Sequence, residues 1–65
     1  MTNYDVSLNG WTIGTFQTNS KSTKYLIKQA RKVANIPSGT RWSGGLENLF
    51  GTGRLGIYRI QRNSL

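Results

Sequence analysis

Asn9-Gly10 separates two alternating segments, and that pair constrains the start of the fold more than any other feature. Asn-Gly supplies the positive φ angles that a two-residue type I′ turn requires at both central positions. Tyr4, Val6 and Leu8 alternate with Asp5 and Ser7, which is the period of a half-buried strand. Such a turn pairs Leu8 with Trp11, Val6 with Ile13 and Tyr4 with Thr15. Tyr4, Val6, Leu8, Trp11 and Ile13 then share one face, which is the expected core. Phe16 falls on the other face unless Gly14 marks a bulge.

After the polar link Thr18-Asn19-Ser20, the apolar period changes to that of a helix running to about Ala34. Ser20 or Ser22 can cap it by accepting from an amide two or three residues on. Pro37 disfavours a helical conformation at Ile36, so the helix stops there or just before. Six of the eight glycines lie between Gly39 and Gly56, which makes this stretch rich in turns. Within it, Thr40 to Ser43 reads as a short strand and Leu46 to Phe50 as a single helical turn. Arg54 to Arg62 reads as the last strand. No internal repeat, linker or second domain is evident, so residues 1–65 are expected to form one basic α+β domain.

A chain of 65 residues buries only about 60% of the surface that its unfolded form exposes. With no cysteine, neither a disulfide framework nor a thiolate metal site can reinforce it. One core, drawn from two Trp, three Tyr, two Phe and the aliphatics, must hold the fold.

The order hairpin, central helix ending before Ile36-Pro37, short strand, helical turn and final apolar strand resembles the ubiquitin-type β-grasp layout. The resemblance implies a ββαβ(β) domain in which one helix covers a mixed sheet, with the last strand parallel to the first at its centre. The terminal Asn63-Ser64-Leu65 differs from the Gly-Gly of conjugatable members and sulfur carriers, so no modifier role is implied.

Nine Lys and Arg against two acids give a net charge of +7 and a pI near 10.7. Charge of this size speaks to partners and solubility and leaves the fold open. Its distribution is more telling. Lys21, Lys24, Lys28, Arg31 and Lys32 fall within an arc of about 100° on a helical wheel. Leu26, Ile27, Ala30, Val33 and Ala34 take the opposite side. Like charges at i,i+4 repel by a few tenths of a kcal/mol, and no Asp or Glu occurs from Val6 to Leu46 to relieve them. Lys21 and Lys24 are expected in the first turn, where the helix dipole disfavours cations. A phosphate there would meet free amides, a serine hydroxyl and two ammonium groups together. Basic side chains that only keep a small protein soluble are the plainer account of the same face.

Arg54, Arg59 and Arg62 form a second basic group, with Tyr58 between them, and Arg41-Trp42 a smaller third. Arginine interleaved with aromatic residues suits backbone contact plus base stacking, which makes Trp42 and Tyr58 candidate stacking residues. Gly51-Thr52-Gly53-Arg54-Leu55-Gly56 matches G-x-G-x-x-G by letter, but the string precedes a strand and leaves no room for a βαβ unit. Those glycines read as turn residues. General acid–base chemistry needs a group titrating near neutrality, and there is no His, no Cys and only two separated acids. A non-enzymatic domain with no cofactor and no metal site is expected.

No run approaches the roughly 20 apolar residues needed to span a bilayer. The N-terminus has neither a basic start nor an apolar stretch. The helix stripe is narrow and lacks Trp or Phe, which disfavours membrane binding. These features point to a soluble, cytoplasmic protein. The favoured partner is nucleic acid, DNA or RNA, held with low sequence specificity. Its contacts would be Lys21, Lys24, Lys28, Arg31 and Lys32, with Arg54, Arg59 and Arg62 secondary. The alternative is a protein-interaction module, such as a viral accessory, inhibitor or virion assembly protein, that docks on an acidic partner or self-assembles.

Overall fold

The turn at Asn9-Gly10 forms as its residues dictate, with φ of 51° at Asn9 and 90° at Gly10. It joins β1 (Thr2–Leu8) to β2 (Trp11–Thr18) in an antiparallel hairpin. The computed structural model describes residues 1–46 and 48–63; Glu47 and the terminal Ser64-Leu65 lie outside the described residues. Leu8 pairs with Trp11 and Ser7 with Thr12, but Val6 then pairs with Gly14, so Ile13 is the extra residue of a bulge. The bulge changes the parity of everything after it. Phe16, rather than Thr15, comes opposite Tyr4, and the two rings stack with centroids 5.3 Å apart.

A relay of hydroxyl-to-amide bonds leads into the helix. Ser20 donates its amide to Thr18 Oγ1 (3.0 Å), Ser22 to Ser20 Oγ (3.2 Å) and Tyr25 to Ser22 Oγ (3.4 Å). Ser22 is therefore the N-cap of α1 (Thr23–Ala34). Asn35 closes the helix in the left-handed conformation, with φ of 52°, and donates its amide to the Arg31 carbonyl. Ser22→Ala should cost about 0.5–1 kcal/mol, the low end for a cap because the bond is long. A thermal melt should show the midpoint falling by several degrees.

Three further strands follow: β3 (Arg41–Gly45), β4 (Asn48–Gly53) and β5 (Gly56–Asn63). The five strands form one sheet in the order β2-β1-β5-β4-β3, with every pairing antiparallel. Two expectations are corrected here. Of the helical turn expected over Leu46 to Phe50, Glu47 lies outside the described residues, and Asn48, Leu49 and Phe50 belong instead to β4. The sheet is not mixed either, because β5 runs antiparallel to β1. The first correction causes the second. One more strand between β3 and β5 reverses the direction in which the chain crosses the sheet. Gly51 makes β4 possible at this place: a Cβ there would lie 2.9 Å from the Trp42 ring and 2.8 Å from the Thr40 methyl.

α1 packs on one face of the sheet, chiefly over β2. Gly14 lets it approach closely, since a Cβ there would meet Val33 Cγ2 at 3.0 Å. The core between the layers is Tyr4, Val6, Leu26, Ala30, Ile36, Leu49, Tyr58 and Ile60. Of the expected helix stripe, Leu26 and Ala30 are fully buried, Ile27 and Ala34 pack at the margin, and Val33 is partly exposed. Trp11 was expected in the core and is instead 78% exposed. It shares the helix-side parity of Leu8 but lies beyond Gly14, where the last turn of α1 sits. Ile13, displaced by the bulge, is also exposed. Among the described residues no helix is long and apolar enough to cross a membrane.

Candidate functional site

Burial of Leu26 and Ala30, four residues apart, turns the other side of α1 outward. Lys24, Lys28, Arg31 and Lys32 are all exposed there. Lys21 is exposed too but precedes the Ser22 cap, so it stands just ahead of the helix. The first turn holds no acidic residue, whereas Arg31 and Lys32 in the last turn complement the dipole. Arg31 also reaches back to donate to the Ser38 carbonyl at 3.4 Å. Asp5, the one carboxyl side chain among the described residues, lies on the opposite face of the sheet and accepts from the Asn63 amide at 3.1 Å. Thus no described carboxylate shares the outer face of α1.

The second basic group does not stay together. Strand alternation sends Arg59 to the face away from the helix, between buried Tyr58 and Ile60. Arg62, paired with Tyr4, lies on the helix side and borders a recess with Asn19, Ser20, Lys21 and Leu46. Arg54 lies in the turn between β4 and β5, at the far end of the sheet. The structure therefore brings Arg62 to Lys21 and separates both from Arg54 and Arg59. The candidate stacking residues belong to the packed layer. Tyr58 is only 2% exposed, and Trp42 is half-buried with its ring across Gly51. The Trp42 indole N–H is buried with no hydrogen-bond partner among the described residues.

The uncovered face of the sheet sets Arg59 and Arg41 of the expected basic groups beside Phe50 and Ile57, which the sequence did not single out. One cross-strand row reads Ser43, Phe50, Arg59, Ser7 and Thr12. The neighbouring row holds Arg41, Thr52 and Ile57. Phe50 is 39% and Ile57 53% exposed. The Arg59 guanidinium carbon stands 5.3 Å from the Phe50 ring centroid, and its Nε donates to Asn48 Oδ1 at 2.8 Å. The available sequence signal was the alternation of β5. With Tyr58 and Ile60 inside, Ile57 and Arg59 must face out, and antiparallel pairing brings Phe50 opposite Arg59.

At the end of the sheet Asn9 joins the two turns. Its amide donates to the Ile57 carbonyl (3.0 Å) and its Nδ2 to the Leu55 carbonyl (3.1 Å). Its Oδ1 accepts from the Ile57 amide (3.0 Å). Exposed Trp11 and Leu55 flank this junction. Comparison with protein-family models, with curated proteins and with solved structures gives no match to this chain.

Proposed function

We propose that this domain is non-enzymatic and binds nucleic acid with low sequence specificity, through phosphate contacts to the outer face of α1. The observation that carries the reading is the one-signed surface of Lys21, Lys24, Lys28, Arg31 and Lys32, all exposed and sharing their face with no described carboxylate. Arg62 extends that surface past Lys21, on the rim of the same recess. The likeness to the β-grasp layout is one of element order and adds nothing to this reading, since a fold hosts many functions.

Binding is expected with Kd on the order of 10⁻⁴–10⁻⁶ M near physiological salt. If about four phosphates are neutralised, log K should fall with log salt at a slope of roughly −3.6 for duplex DNA. Lys28→Glu should weaken binding more than Arg54→Glu, although both change the net charge equally, because Lys28 lies mid-helix among the other cations. Fluorescence anisotropy of labelled duplexes across a salt series tests this. Equal losses from the two variants would place the contact face elsewhere. A second reading, docking of an acidic protein or a second copy, is favoured by the exposed Trp11 and Leu55 beside the Asn9 junction. Absence of nucleic-acid binding at low salt would leave that second reading standing.

A further inference from the structure

The face of the sheet that α1 leaves uncovered has its own chemistry. Antiparallel sheets often present one face to water, and such a face is ordinarily polar throughout. This one carries Ser7, Thr12, Ser43, Thr52 and Gln61, but holds Phe50 and Ile57 as diagonal neighbours on adjacent strands. Arg59 stands directly across from Phe50 and Arg41 one row away. A recess of about 410 Å³ opens beside Phe50, Ile57 and Arg59, lined also by Asp5, Ser7 and Gln61, and is within the range of small-ligand sites. We propose that Phe50, with Arg59 and Ile57, forms a stacking site for the unpaired bases of single-stranded nucleic acid.

Three features of the site favour that occupant. Phe50 is held on a strand paired on both sides, so its ring is presented without a loop to order. The Nε–H of Arg59 is committed to Asn48, which holds the guanidinium over one side of the Phe50 ring, so a base would take the ring's other side and the terminal N–H donors a phosphate. The charge is complementary. Arg41 and Arg59 face outward here and outnumber Asp5, which stands one row from Arg59 on the lining of the same recess and accepts from the Asn63 carboxamide. A stacked base needs a free ring face and a nearby cation for its phosphate, and any base serves because every base has a π-face. A duplex keeps its bases stacked inside and cannot use the site. The inference rests on the nucleic-acid reading given above and assigns a strand preference to it, on a surface separate from α1.

The test uses the whole chain, with a labelled oligothymidylate and a duplex of the same length as probes. Phe50→Ala and Phe50→Leu should each weaken single-strand binding about 10-fold, and Phe50→Trp should preserve it. Duplex binding should be unchanged in all of them. Arg59→Gln should lower the single-strand salt slope by about 0.7. Circular-dichroism melts check that the variants fold. Titration of the parent chain, followed by backbone-amide shifts, should move Phe50, Ile57 and Arg59. Single-strand binding unaffected by Phe50→Ala, with Lys28→Glu still weakening duplex binding, would overturn this inference alone. Amide shifts confined to α1 would do the same. No binding of either probe at low salt would remove the nucleic-acid reading itself. A dimer in sedimentation that Phe50→Ala dissociates would assign the face to a second copy and overturn the stacking site.

Discussion

Leu26→Ala is expected to leave the domain largely unfolded at room temperature. Leu26 is fully buried and is, with Ile60 and Val6, among the largest side chains that are so. It is also the main apolar contribution of α1 to the core, since Ala30 is small and Ile27 lies at the margin. Truncating a buried leucine removes its transfer free energy and leaves a cavity, at a cost of about 2–5 kcal/mol. A domain below 70–80 residues rarely has more than about 3–5 kcal/mol of stability in total. Ile27→Ala, at the half-buried edge of the same stripe, should cost nearer 1–2 kcal/mol. Urea titrations followed by circular dichroism measure both. An unchanged midpoint for Leu26→Ala would contradict the packing of α1 on the sheet.

Gly56→Ala is expected to cost about 3 kcal/mol, through two separable effects. Gly56 has φ of 139°, a conformation that costs an L-residue about 1–3 kcal/mol. A Cβ at this place would also collide with the carboxamide of Asn9. Displacing that side chain breaks its bonds to Leu55 and Ile57, each contributing about 1 kcal/mol. Asn9→Gly keeps the turn conformation, deletes the same bonds and clears the space. Combined with Gly56→Ala it should therefore cost less than the sum of the single variants, by about 1 kcal/mol. Strict additivity in melts of the four proteins would show that the collision with Asn9 is not the source of the loss.

Much of this fold follows from local residue chemistry. The Asn9-Gly10 turn, a serine cap at Ser20 or Ser22 and the change of period after Ser20 each act over a few residues; the turn forms as expected, and Ser22 is the serine that caps. What escaped depends on partners distant in sequence. Leu46, Leu49 and Phe50 have helical spacing, and a strand holding Gly51 and Gly53 has little intrinsic propensity. The ring of Trp42 across Gly51 is what makes it a strand, and that contact exists only once the chain has folded. Parity was left open in the sequence, where a bulge near Gly14 was the alternative that brings Phe16 inward, and the pairing decides it. The bulge at Ile13 moved Phe16 into contact with Tyr4, and the length of α1 left Trp11 uncovered. The helix cations were legible because a periodic surface needs no tertiary knowledge. The pairing of Phe50 with Arg59 was not, because it required the register of β4 on β5.

The strand order has a consequence for how the domain is made. Its central pair consists of the first and last strands, with Asn3 opposite Asn63. The hairpin, α1 and the β3–β4–β5 meander can each form from neighbours. The pairing of β1 with β5 must close a loop through nearly the whole chain and is the slowest contact to reach. On the ribosome the roughly 50 residues between these strands take about 3–10 s to synthesise, at about 5–20 residues per second. Throughout that interval the inner edge of β1 stands open, an invitation to pair with other nascent chains. Asp5 lies in the middle of that edge, and a charge there discourages such pairing. Once β5 arrives, the amide of Asn63 takes up that same carboxylate, and the last described residue seals the strand that had to wait.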